Sequence, residues 1–197
     1  MFNLADYPSP ILHVLSAHDS GKRLMPLAPR TPLRGQALDQ LAATDAAQLV
    51  SPQSLASREF GNCVRGALFL YLSALDDSHK ISQDIPSTTG SFLHGIMHRQ
   101  EPDYSNSKYW FRRVGDHELF PRLRESTLEL LGQQGEAVSE RLRDDVGRRP
   151  AWDPYWLVDQ CESANRGGDA GLVTVLQQIQ LLEWQLLFDY CYRKAVG

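Results

Sequence analysis

Residues 172–192, LVTVLQQIQLLEWQLLFDYCY, constrain the fold more than any other stretch. Apolar residues recur here at helical spacing and do not alternate. At 100° per residue, Leu172, Leu176, Ile179, Leu186, Leu187 and Tyr190 fall within about a third of the circle. Trp184 and Phe188 lie on another side. A helix that is apolar on more than one side must be surrounded by protein. The segment is not read as a bilayer span, because Gln177, Gln178, Gln180, Glu183, Gln185 and Asp189 interrupt it. The rest of the chain therefore has to build layers around a long helix over about residues 170–194.

The remaining sequence supplies helices for that purpose. Helix formers and apolar residues at helical spacing predict helices over 35–50, 56–76, the segment carrying FLHGIMHR, 104–114, about 118–133, about 136–145 and about 153–163. Thr88 or Thr89 can cap the FLHGIMHR helix and Asp103 the next one, with Gly115 closing it. Asp153-Pro154 joins a capping side chain to proline at the first helical position. Residues 77–87 read as a connection. β-branched residues are sparse and no hairpin dipeptide separates alternating runs. Prolines cluster at 8, 10, 26, 29 and 32, so residues 1–35 read as an irregular arm packed on a helical domain of residues 36–197. The expected architecture is all-α: a single-domain helical bundle of about six to eight helices with a long, central C-terminal helix.

Charge and cysteine usage narrow the function classes. The net charge of −4 over 197 residues, with the signs mixed, gives no basic field for nucleic acid. The N-terminal stretch has neither the basic nor the apolar region of a signal peptide. Cys63, Cys161 and Cys191 are far apart and form no CxxC, which argues against a disulfide framework or zinc knuckle and for reduced thiols in a cytoplasmic protein.

Two features carry chemistry. Glu183 projects into the apolar arc of the last helix, and a buried carboxylate needs Arg, His, Lys or a metal ion beside it. The stretch SFLHGIMHRQEPDYSNSKYWFRR places His94 and His98 four residues apart on one helix. That spacing can hold zinc or iron with a third ligand, Glu183 or Asp77. The apolar face of this helix is Phe92, Leu93, Ile96 and Met97, so both histidines are expected on a partly exposed face. Gly95 between them permits close approach of another backbone or a ligand. On the next helix Asn106, Tyr109 and Arg113 share a stripe beside Trp110, Phe111 and Val114. Such edges line pockets, and Arg99 or Arg113 can grip a carboxylate or phosphate. His79, in the connection before the histidine helix, stands on a plausible second wall.

The run LDDSHKISQDIPSTTGSFLHGIMHRQEPDYSNSKYWFRRVGDH resembles an uncharacterised family of bacterial and fungal proteins. Its members carry a pattern close to His-Arg-x-Glu-x-Asp-x-x-Asn-x-x-Tyr/Trp, matched here by His98, Arg99, Glu101, Asp103, Asn106 and Tyr109 or Trp110. Many members have Gly at the position of Pro102. The similarity covers about half the chain, is strongest over 75–117 and extends to LEWQLLFDYCYR. The family has no assigned reaction, so the resemblance implies a shared site and no chemistry.

Three functions remain open from these residues. The first is a small-molecule protein, enzyme or binder, for an anionic ligand. His98 and Glu183 would be its catalytic pair, and His79, His94, Arg99, Asp103, Asn106, Tyr109 and Arg113 would line the pocket. The second is a metal-dependent enzyme using a divalent ion, zinc or iron, on His94 and His98. The third is an interaction module in which the polar residues only brace a helix corner.

Overall fold

The structure, a computed structural model, describes residues 2–167 and 169–197. Among these residues every regular element is helical. The helices are α1 (Ser9–Ser16), α2 (Gln36–Ala43), α3 (Ala46–Val50), α4 (Arg58–Tyr71), α5 (Leu75–Ser82), α6 (Thr88–Gln100), α7 (Tyr104–Val114), α8 (Phe120–Gly132), α9 (Ala137–Gly147), α10 (Pro154–Asn165) and α11 (Ala170–Val196). The all-α class and the long last helix agree with the sequence. The helix count is higher than the six to eight expected, for local reasons.

Two expected helices are each split. Between α2 and α3, Asp45 accepts from the Gln48 backbone N–H while the Gln48 side chain accepts from the Asp45 N–H. This capping box restarts the helix where periodicity alone runs on. Between α4 and α5, Ser73 takes a left-handed φ of 57°, and the Ala74 N–H donates back to the Phe69 carbonyl at 2.9 Å. That bond closes α4, so the stretch expected as a connection at 77–87 begins as helix α5. The expected irregular arm also contains α1, whose Ile11, Val14 and Leu15 are buried in the core.

The most enclosed helix is α6. Every residue from Thr89 to Gln100 is buried. α7 folds back along it, α5 and α4 cover other sides, and α11 packs chiefly on α4. Gly95 makes the α6–α7 contact possible. A Cβ there would stand 3.0 Å from the Phe111 ring, and the Ser107 hydroxyl donates to the Gly95 carbonyl at 2.8 Å. The cap of α6 is Ser87, whose hydroxyl accepts from the Gly90 N–H, in place of the threonines expected.

His117 joins three of these helices. The Leu119 backbone N–H donates to its Nδ1 at 3.2 Å, so its proton sits on Nε2, which faces the Thr89 hydroxyl at 3.2 Å. Burial lowers its pKa from the ordinary 6.5. A second proton would also confront the Leu119 N–H. The unfolded chain takes up that proton near pH 6.5 and the folded chain only at lower pH. Stability is therefore complete above about pH 6.5 and falls below it, by up to about 1.4 kcal/mol per pH unit for each such group. Urea unfolding of wild type and His117→Asn between pH 7.5 and 5 measures this. The variant is expected to show the shallower fall, and equal slopes would remove His117 from the account.

Candidate metal centre

Two helices bring three histidines together. His79 comes from α5, and His94 and His98 from α6. One ring nitrogen from each lies within 4.8 Å of the others. His94 Nε2 and His98 Nε2 are 3.0 Å apart, and the His79 ring stands edge-on to both, at centroid distances of 4.8 and 5.4 Å.

The expectation of a partly exposed face is corrected here. His94 is 1% exposed and His98 5%. The reason is α5, which lays His79 over the face left open by the sequence reading. Trp110 of α7 closes another side, stacked on His94 at 3.9 Å. His79 is half-buried and is the imidazole nearest to solvent.

Burial lowers the pKa of His94 to about 3, with further lowering by His98 and His79. His98 is also lowered, again chiefly by burial, although Glu101 pulls the other way. Neutral imidazole is the form that binds metal.

The proton positions test whether these residues fit an ion. His98 Nδ1 meets the Glu101 carboxylate at 3.0 Å, so Nδ1 carries the proton and Nε2 is bare. A His94 proton on Nε2 would point at His98 Nε2 and leave His94 Nδ1 as a bare acceptor. That Nδ1 is buried without a partner. The backbone of Ser82 lies close enough to favour a proton on the His94 ring, yet no hydrogen bond to Nδ1 forms. Moving the His94 proton to Nδ1 frees both Nε2 lone pairs to face one ion. Two nitrogens on one tetrahedral zinc, at about 2.0–2.1 Å each, stand about 3.3 Å apart. The observed 3.0 Å requires a small spreading.

Asn106 Nδ2 lies 3.0 Å from His98 Nε2 and 3.4 Å from Nδ1. With the His98 proton on Nδ1, the Asn106 amide N–H donates to Nε2, the contact an ion at Nε2 would replace. Asp103 caps α7 by accepting from the Asn106 N–H at 3.2 Å, which fixes the helix that carries Asn106. Tyr109 is 47% exposed and touches Trp110 edge-on. Arg113 covers Trp110, its guanidinium 5.1 Å from a ring centroid.

Arg99 and Glu183 form a separate pair. The guanidinium nitrogens Nη1 and Nη2 donate to Glu183 Oε1 and Oε2, and both side chains are fully buried. Glu183 keeps Arg99 charged despite the burial. Among the described residues, no hydrogen bond or ion pair joins Glu183 to a histidine. The convergence of His98 with Glu183 expected from the sequence is replaced by Arg99 with Glu183, because residues 98 and 99 leave α6 about 100° apart. Asp77, the other carboxylate considered as a ligand, faces Lys80 at 3.5 Å.

A cleft of about 270 Å³ is lined by Arg30, Ser73, Asp76, Asp77, Glu101 and Pro102 among others; Glu101 is its link to the histidines, none of which lines it. Glu101 is the residue sequence reasoning placed in the motif without giving it a role. Its signal is the i,i+3 spacing from His98 at a helix end.

Pro102, next in the chain, has φ of +31°. The Asp103 N–H donates to the His98 carbonyl at 3.0 Å across it, a helix-ending turn that places a left-handed residue at this position.

Comparison with known proteins returned no match to the chain among family models, curated proteins or solved structures. Among the described residues no helix is long and apolar enough to cross a membrane.

Proposed function

We propose that this chain is a metal-dependent enzyme whose divalent ion is held by His79, His94 and His98. The observation that carries the reading is the meeting of three imidazole nitrogens within 4.8 Å from two helices. Three imidazoles and no thiolate suit zinc first and iron second. An ion held by three protein ligands keeps a position for water or substrate, and zinc so held brings a bound water to ionise near neutral pH. The reaction class this favours is hydrolysis of a small molecule.

The surrounding residues have parts in that reading. Trp110 shields His94 from water, and Asn106 reaches His98 Nε2 with its amide. Arg99 grips Glu183 and is not offered to a ligand, so an anionic substrate draws no support from it.

Metal analysis tests the proposal directly. Protein purified without a nickel column and reconstituted with zinc, iron or manganese is expected to retain one equivalent of one of them. His79→Ala and His94→Ala are expected to lose it. No stoichiometric uptake of any of the three ions by wild type ends the reading.

A further inference from the structure

We infer that Glu101 is a positioning residue for the metal centre: through His98 Nδ1 it holds His98 with Nε2 turned to the ion. This inference rests on the metal reading above. Its basis is geometric. Glu101 closes α6, three residues after His98, and its Oε2 lies 3.0 Å from His98 Nδ1. A carboxylate only accepts, so the Nδ1 proton is held in place and Nε2 is left bare. Nε2 is also the atom that faces His94 Nε2 at 3.0 Å.

The exposures of the pair are unequal. The His98 side chain is 7% exposed and that of Glu101 48%. An exposed i,i+3 contact contributes little to folding, about 0–1 kcal/mol. Its effect here is on the ring it orients. Histidines that bind metals commonly donate their second N–H to a carboxylate, which fixes the tautomer and raises basicity, and loss of such partners lowers metal affinity by about 10–100-fold.

The same side chain lines the cleft with Ser73, Asp76 and Asp77. Glu101 therefore belongs both to the support of His98 and to the wall of this cleft. Oε2 is on Nδ1, on the side of the ring remote from Nε2, so Glu101 in this position is not itself a ligand. The turn closed by the Asp103 N–H on the His98 carbonyl and the Asp103 cap follow immediately and set the direction in which Glu101 leaves the helix.

The test uses cobalt(II) as the probe, titrated into metal-free wild type, Glu101→Gln, Glu101→Ala and His98→Ala. Calorimetry gives affinity and visible absorption reports the ligand set. Glu101→Ala is expected to bind cobalt about 10–100-fold more weakly than wild type. Its bound spectrum should keep the wild-type shape, and its metal-free melting point should be unchanged. Glu101→Gln keeps an acceptor for Nδ1–H and is expected to fall between the two. Nitrogen-15 NMR of the metal-free imidazoles supplies a reading independent of metal. His98 should be protonated at Nδ1 in wild type and Glu101→Gln, and should lose that preference in Glu101→Ala.

The failures are distinguishable. If wild type binds no cobalt, the metal reading fails. If wild type binds cobalt and Glu101→Ala binds it equally well, the positioning role fails and the metal reading stands. A changed cobalt spectrum in Glu101→Ala would make Glu101 a ligand and overturn the role stated here.

Discussion

Glu183→Ala is expected to lower the unfolding free energy by about 3–5 kcal/mol, the range for removing one partner of a buried ion pair. Both oxygens of Glu183 receive the guanidinium of Arg99, and both side chains are fully buried. Truncating the carboxylate leaves Arg99 charged with no compensating partner. It cannot escape by losing its proton, since arginine stays protonated in proteins. A domain of ordinary stability holds about 5–15 kcal/mol, so the loss is a large share of the total. The loss should not come from packing alone. Arg99→Met combined with Glu183→Leu removes both charges and keeps most of the volume, and such replacements are often neutral. The double variant is therefore expected to be markedly more stable than Glu183→Ala. Urea unfolding of the three proteins decides. A loss below about 1 kcal/mol for Glu183→Ala would match an exposed pair and contradict the burial.

The second large effect concerns the ion. With free zinc at about 100 times its dissociation constant, binding to the folded state adds about 2.7 kcal/mol. In a chain of this size each kcal/mol moves the melting temperature by about 2–4 °C. Wild type is thus expected to melt about 5–11 °C higher with zinc, and His98→Ala to show almost none of that rise. His98 is the informative position because it contacts the other parts of the site: His94, His79, Glu101 and Asn106. The variant also removes a buried, poorly hydrated ring, so its metal-free melting point is the necessary reference. An equal zinc-induced rise in both proteins would put the zinc elsewhere and remove the three histidines from the proposal. Cys161 is a poor alternative ligand, because burial raises its thiol pKa to about 11 and keeps it protonated.

The histidine site was only partly legible in the sequence. The i,i+4 spacing of His94 and His98 is local, and helical geometry alone puts both rings on one face. His79 was a candidate for a second wall, since it precedes the histidine helix in the chain. Its part as the third nitrogen depends on Ser73 turning the chain so that α5 lies against α6. That turn is carried by a serine in a left-handed conformation, with no glycine to announce it. The exposure of the histidines was misjudged for the same reason. A low count of apolar residues on one face of α6 suggested solvent, but that face is covered by a polar wall of His79 and by Trp110.

The sequence by itself determined the class of the fold and the burial of Glu183. Both follow from periodicity, which is a property of neighbouring residues: a helix apolar on several sides must be embedded, and a carboxylate within it must find a cation. Tertiary structure alone decided which cation that is and which side chains share a site. His98 and Arg99 are adjacent in the chain and point about 100° apart on the helix. One therefore joins the histidines beneath α5 and the other crosses to α11, and only the packing of helices distant in sequence sends them to different places.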